Sequence, residues 1–194
     1  MITDFIIDLE TLSDIEHNAA ILSIAAVSFT LNGEDNIKDV MERAFHMNVK
    51  YRPQLENKTH VLNRQTLAFW KQNPDAWALQ HENPVTLDFA LNRLVEYLYA
   101  NGYDHRSSIL WTRGSGFDGQ KIEYNMRLHG LGDKLNQWQF RDIRTYVDLY
   151  TGVRNGQYKI ENPANIIKGM KHYARYDVAK DVVSMQEIYK GMFG

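Results

Sequence analysis

The seven residues Phe5-Ile6-Ile7-Asp8-Leu9-Glu10-Thr11 constrain the fold of this chain more than any other stretch. Three consecutive apolar residues run directly into two carboxylates spaced i, i+2, and in an extended strand that spacing puts both acids on one face. Like charges about 4 Å apart repel by about 4 kcal/mol at an effective dielectric near 20, so a fold that keeps such a pair needs a cation or raised pKa values. A divalent metal is the commonest remedy; a solvated strand end is the plain alternative.

Beyond that strand the pattern is α/β. Ile21-Leu22-Ser23-Ile24-Ala25-Ala26-Val27-Ser28-Phe29 reads as a buried strand, Leu31 to Asp35 carries turn chemistry, and Met41 to Val49 reads as a third strand closing an N-terminal meander. Arg52 to Lys58 reads as a polar link. Asn63 can cap a helical segment carrying Leu67 and Trp70 that Pro74 interrupts, with Trp77 in the turn beyond it. Thr86 can cap a longer helix whose Leu87, Leu91, Leu94 and Leu98 form a core-facing stripe. Ser108 to Thr112 reads as a short strand, followed by the glycine-rich run Arg113-Gly114-Ser115-Gly116. Phe117-Asp118 then opens a helix for which Gly130 is the stop. Gln137 to Ile143 reads as the last strand, Tyr146 to Tyr150 as a short helix ending at Gly152, and Val178, Val182, Met185 and Tyr189 mark a C-terminal helix. Strands alternating with helices after a meander predict a mixed sheet of about five strands in a single domain over residues 1–194.

Two features of composition bear on function. There is no cysteine, which excludes disulfides, thiolate metal sites and cysteine nucleophiles; any metal must sit on oxygen or imidazole, and a reducing, cytoplasmic location is expected. No apolar run reaches the length of a membrane span, and no secretory signal opens the chain, so no membrane partner is expected. The net charge of -2 divides unevenly, -6 over residues 1–97 and +4 over residues 98–194, which allows a basic surface beside an acidic centre.

Ahead of the last helix stands His172-Tyr173-Ala174-Arg175-Tyr176-Asp177. Asp8-Leu9-Glu10-Thr11, Gly116-Phe117-Asp118 after a strand, and His172 five residues before Asp177 together resemble the three motifs of the DEDD 3'-5' exonucleases. The histidine is that of the family's histidine variant, which includes RNase T, oligoribonuclease and polymerase proofreading domains. The resemblance runs from residue 5 to about 190 and implies an RNase H-like fold. It also implies that Asp8, Glu10, Asp118 and Asp177 hold two Mg²⁺ or Mn²⁺ ions, and that His172 is the base activating water. The substrate implied is single-stranded RNA or DNA with a free 3' end, shortened by release of nucleoside 5'-monophosphates, and a homodimer is implied by the same likeness. Hard divalent cations want oxygen ligands, and a pair of them about 4 Å apart can stabilise both the attacking and the departing oxygen at phosphorus.

Several positions have rivals. Asp118 could be a helix N-cap. Asp181 lies one turn after Asp177 on the same helix face, and a sister branch of the family uses tyrosine where Tyr173 stands. The histidines His17, His46, His60, His81, His105 and His129 show no ligand spacing and read as surface or helix residues. For substrate contact the expected residues are Thr11, Leu12 as a wedge against the terminal base, and Trp70 and Phe117 as stacking faces, with Arg113, Arg141, Arg144 and Arg175 as cations for phosphates. The chain has Thr11-Leu12-Ser13 where the family's first motif usually carries small residues and glycine. Two readings compete with hydrolysis of nucleic acid: a phosphatase of the haloacid dehalogenase type, which also starts from a strand with closely spaced acids but uses aspartate at both positions, and a nucleic-acid-binding domain without catalysis.

Overall fold

The computed structural model describes residues 4–162, 165–167 and 170–194. Its central strand is the acidic one. β1 (Asp4–Thr11) pairs antiparallel with β2 (Ile21–Phe29), which pairs antiparallel with β3 (Phe45–Asn48). On the other side of β1 lies the parallel strand β4 (Leu110–Thr112), and β5 (Phe140–Asp142) is parallel to β4. The sheet order is therefore β3-β2-β1-β4-β5, the mixed five-stranded sheet of an RNase H-like fold.

Alternation along β1 sorts its side chains between two cores. Phe5, Ile7 and Leu9 pack with Leu87, Leu91, Leu94 and Leu98 of a helix on one face, whereas Ile6 packs on the other face with Val178, Val182 and Met185 of the C-terminal helix. Asp8 and Glu10 share the parity of Ile6, so the strand delivers both acids to the side that the C-terminal helix covers. Beyond Glu10 the pairing shifts, from Glu10 opposite Ser23 to Thr11 opposite Ile21; such a bulge ends the regular ladder where the chain leaves the acidic pair.

The helices depart from the sequence pattern in two places. Met41 to Val49 is not one strand. Asn36 accepts the Asp39 amide and caps α1 (Ile37–Arg43), which buries Ile37 and Val40, and only Phe45–Asn48 is extended. The polar link contains α2 (Tyr51–Glu56), whose buried Gln54 exchanges hydrogen bonds with the backbone of Ile21, 2.8 Å each way. α3 (Arg64–Gln72) starts at the Asn63 cap, and α4 (Pro74–Leu79) begins on Pro74 itself, where a missing amide costs nothing. α5 (Leu87–Ala100) carries the leucine stripe behind its Thr86 cap.

A wide π-type turn over Ser115–Gly119 feeds α6 (Gln120–Leu128), and Gly130 follows with φ 70°, the left-handed stop. The last strand is shorter than expected: Gln137–Gln139 is a 3₁₀ turn, and Ile143 already belongs to α7 (Ile143–Thr151), capped by Asp142 and ended by Gly152 at φ 71°. α8 (Ala174–Phe193) then crosses the sheet. Two histidines also depart from expectation. His46 lies in β3, and His60 is buried between Thr59 and Asn125, 2.8 and 2.7 Å away, where a satisfied core imidazole belongs. Among the described residues no helix is long and apolar enough to cross a membrane.

Candidate active site

Three segments far apart in sequence meet at the carboxyl end of β1. Asp8 and Glu10 come from β1, Asp118 from the turn after β4, and Asp177 from the first turn of α8. All four, with His172, Arg144, Lys180 and Asp181, line one cleft of about 340 Å³. One carboxylate oxygen each of Asp8, Glu10 and Asp177 lies within 4.8 Å of the others. Asp118 completes the set from below. It is 2% exposed, the Leu9 amide hydrogen-bonds its carboxylate, and its Oδ1 is buried with no hydrogen-bond partner among the described residues. Leu9 has that amide to give because the pairing of β1 with β4 runs only to Ile6 opposite Trp111. No side-chain cap bond starts α6, so Asp118 is not an N-cap.

Electrostatics state the cost of this gathering. Burial first, and then Asp118, Glu10 and Asp177, push the Asp8 carboxyl well above the usual carboxylate range. Glu10 is raised for the same reason, with Asp177 and Asp118 the charged neighbours. Burial also raises Asp118 well above its ordinary value, although Lys121 and Arg144 pull it back. Asp177 is pushed up to about 6, by burial and by Asp181, against Lys180, Arg113 and the His172 amide. Four carboxyls raised together in one open cleft are a site in want of positive charge. An all-oxygen donor set with one orphaned buried oxygen fits a hard divalent cation, the kind of ion that the DEDDh exonucleases use.

The rivals separate on geometry. Asp181 is 4% exposed and spoken for: the Arg113 guanidinium grips both of its oxygens and donates its remaining Nη to the Gly156 carbonyl at 2.6 Å. That pairing occupies Arg113 as well, so it is no free phosphate cation. His172 faces the cleft, edge-on to Phe69 with ring centroids 4.7 Å apart, in a left-handed backbone conformation at φ 62°. Tyr173 turns the other way and packs on His46, centroids 4.9 Å apart. Burial, helped by Lys171, lowers the His172 pKa, so its imidazole is unprotonated at neutral pH. Two glycines make the turns around the cleft possible. Gly114 takes φ 107° just after β4, and Gly156, at φ 62°, lies so close to Arg144 that a Cβ would come within 2.5 Å of its Cγ.

The expected substrate contacts divide. Phe117 borders both the acidic cleft and an adjoining pocket of about 300 Å³, with Lys121 Nζ over its ring, 3.5 Å from the centroid. Trp70 and Leu12 are core residues instead. Leu12 is 0% and Trp70 2% exposed, both in a cluster with Ala20, Leu22 and Ala76, and the indole N–H donates to the Thr11 carbonyl at 3.0 Å. Leu12 cannot wedge against a base, and Trp70, although it borders the pocket beside the cleft, exposes too little of its ring to stack on one. Thr11 is buried too, its hydroxyl donating to the Ser13 carbonyl at 2.8 Å, though it still borders the pocket. Phe69 takes the place expected of Trp70. It is the neighbouring residue on α3, rotated by about 100° so that its ring lines the adjoining pocket and lies edge-on to His172. Of the remaining arginines only Arg144 lines the cleft; Arg141 donates to the carbonyls of Trp138 and Phe140, and Arg175 to those of Met41 and Glu42.

An RNase H-like sheet whose first strand, mid-chain turn and last helix converge four acids and a histidine defines a 3'-5' exonuclease of the DEDDh class. The chain belongs to the family described as the 3'-5' exoribonuclease Rv2179c-like domain, whose model matches residues 3–189. It is 28% identical over 203 residues to the exodeoxyribonuclease of Enterobacteria phage T4, covering 94% of this chain and 87% of that protein. Among solved structures it superposes on the nuclease domain of 3'hExo, a DEDDh family member bound to rAMP, with a TM-score of 0.60, 15% identity, and coverage of 97% of this chain and 92% of that one. A full-length 3'-exonuclease matches with a TM-score of 0.60 at 17% identity, covering 97% and 82%. Membership of this family sets the phosphatase alternative aside.

Proposed function

We propose that residues 1–194 form a single exonuclease domain that removes nucleotides one at a time from the 3' end of single-stranded nucleic acid. In this reading Asp8, Glu10, Asp118 and Asp177 hold two Mg²⁺ or Mn²⁺ ions, and His172 accepts the proton of the attacking water. The observation that carries it is the convergence of Asp8, Glu10 and Asp177 to within 4.8 Å beside a buried, unpartnered Asp118 oxygen.

The bound ions would supply the charge that makes water a nucleophile at neutral pH and that neutralises the phosphate oxygens. The chain's own residues do the rest. Phe69 and Phe117 flank the pocket beside the cleft, and Gln65 and Thr66 give it polar groups, so the terminal base is held there with its phosphodiester over the acids. A pocket of about 300 Å³ has room for one base. His172, neutral because it is partly buried, takes the water proton as the oxygen attacks phosphorus; the bond from phosphorus to the 3' oxygen of the preceding nucleotide breaks, and a nucleoside 5'-monophosphate leaves. Phe69, edge-on to the imidazole, holds it over the cleft.

Every residue in this scheme comes from one chain, so hydrolysis does not require the homodimer that the resemblance implies; light scattering beside an activity titration tests that. The family model's description points to RNA, and the phage relative's name to DNA. Matched RNA and DNA oligomers labelled at either end, digested with Mg²⁺, Mn²⁺ or chelator, decide the sugar, the ion and the reaction together. Stepwise shortening of the 5'-labelled strand that stops with chelator is the expected result. Digestion from the 5' end, or hydrolysis indifferent to chelator, refutes the proposal, and inactivity on every strand would favour a binding domain without catalysis.

A further inference from the structure

A second hollow, of about 620 Å³, adjoins the acidic cleft. It lies between the α3–α4 junction, the segment around Tyr158–Ile160, and α8. Lys180 lines both the cleft and this cavity, and Lys171, also on its wall, directly precedes His172. Its lining combines an apolar floor, including Ile160 and Tyr176 at 6% exposure each, with Lys159, Lys171 and Lys180. None of the three lysines has an ion pair or a side-chain hydrogen bond among the described residues. Asp75 is the one acid among the described lining residues.

Three unpaired ammonium groups around a half-apolar hollow are the pattern of a surface that tracks a phosphate backbone while bases lie on its floor. Size agrees: the cavity is about twice the 300 Å³ pocket assigned to one base. Continuity through Lys180 sets the polarity. With the terminal base in the Phe69–Phe117 pocket and the scissile phosphate over the acids, the cavity is the next hollow along the chain.

We infer that this lysine-lined cavity binds the nucleotides on the 5' side of the scissile phosphate, so that the enzyme grips a single strand several nucleotides long rather than its last two alone. The inference rests on the exonuclease reading of the neighbouring cleft. In a dinucleotide the one phosphate occupies the cleft, and none reaches Lys159 or Asp75.

The experiment compares hydrolysis of a dinucleotide and of a ten-nucleotide single strand by the wild-type chain, Lys159→Gln and Asp75→Asn. Both substituted residues are exposed and lie outside the acidic cleft. For the ten-nucleotide strand, Lys159→Gln is expected to lower kcat/KM roughly three- to tenfold through KM, and to flatten the slope of log KM against log salt by about 0.7, the share of one phosphate contact on a single strand. Asp75→Asn is expected to raise kcat/KM on that strand by about twofold, and neither change should alter dinucleotide hydrolysis. Two results overturn the inference alone: equal wild-type kcat/KM on the two lengths, or effects of both substitutions that are the same on both substrates. Failure of the wild-type chain to hydrolyse either substrate overturns the exonuclease reading and this inference with it.

Discussion

Replacing Asp177 by Asn should abolish catalysis and, without divalent ions, make the protein more stable. The Asp177 carboxyl is pushed up to about 6 from 3.8, by burial and by Asp181. Holding it ionised at pH 7.5 therefore costs up to about 3 kcal/mol, at 1.36 kcal/mol for each pKa unit. Because the group opens onto the cleft, solvent screening reduces that to about 1–2 kcal/mol. The sign follows from proton binding. Between pH 3.8 and about 6 the unfolded chain has lost a proton that the folded chain keeps, so stability falls as pH rises through that window and stays low above it. Asparagine carries no charge, and its side-chain oxygen can still accept the His172 amide. For a chain of this length 1 kcal/mol moves Tm by about 2–4 °C, so in chelator at pH 7.5 Asp177→Asn should melt about 2–8 °C above wild type, with the gap closing toward pH 4. Addition of Mg²⁺ or Mn²⁺ should raise the wild-type Tm more than the variant's, and kcat should fall at least 100-fold. Thermal denaturation followed by circular dichroism reads the melting temperatures, and a steady-state assay on a labelled oligomer reads kcat. A variant that melts below wild type in chelator would refute the claim that the acids repel one another in want of a cation.

Three further changes bear on the site and its supports. His172→Ala should lower kcat by about 10²–10⁴, the usual worth of a general base, while Tyr173→Phe keeps most activity; the reverse order in steady-state assays would move the base to Tyr173. Arg113→Met leaves Asp181 buried without its partner and should cost about 3–5 kcal/mol in urea unfolding, whereas Arg113→Met with Asp181→Leu should recover much of it; no recovery would place the loss elsewhere. His46 is held at about 4, by burial and then by Arg175, so the unfolded chain takes up a proton below pH 6.5 that the folded chain refuses. Stability from this group is present above pH 6.5 and is lost by up to about 3 kcal/mol as pH falls toward 4. His46→Phe, which keeps a ring against Tyr173, should show less acid loss over that window than wild type, and parallel curves would contradict the assignment.

What the sequence made legible and what it did not follow from range. The apolar run into Asp8 and Glu10 declared the central strand and its acidic face, because a period of two needs only neighbours to be read. Thr86 with its leucine stripe, Gly130 and Gly152 are local signals of the same kind, and each stands where it was expected. Met41 belongs to α1 rather than to the strand that follows, because the Asn36 cap starts a helix that runs to Arg43 and only Phe45–Asn48 pairs with β2. Trp70 and Phe69 are adjacent on one short helix, and composition does not say which meets the cleft; only the packing of Trp70 under Thr11 decides. The Arg113–Asp181 pair joins residues 68 apart, and it is what separates Asp181 from Asp177. Three lysines spread from 159 to 180 likewise form a group only once α8 lies beside the segment before it.

Two divalent ions are proposed to sit between acids from three distant segments. Anomalous diffraction from crystals grown with Mn²⁺ reads that directly. Two peaks, each touching Asp8, Glu10, Asp118 or Asp177, with Asp181 still on Arg113, is the result expected; no peak in the cleft, or ions bound through Asp181 with Asp177 turned away, would contradict it.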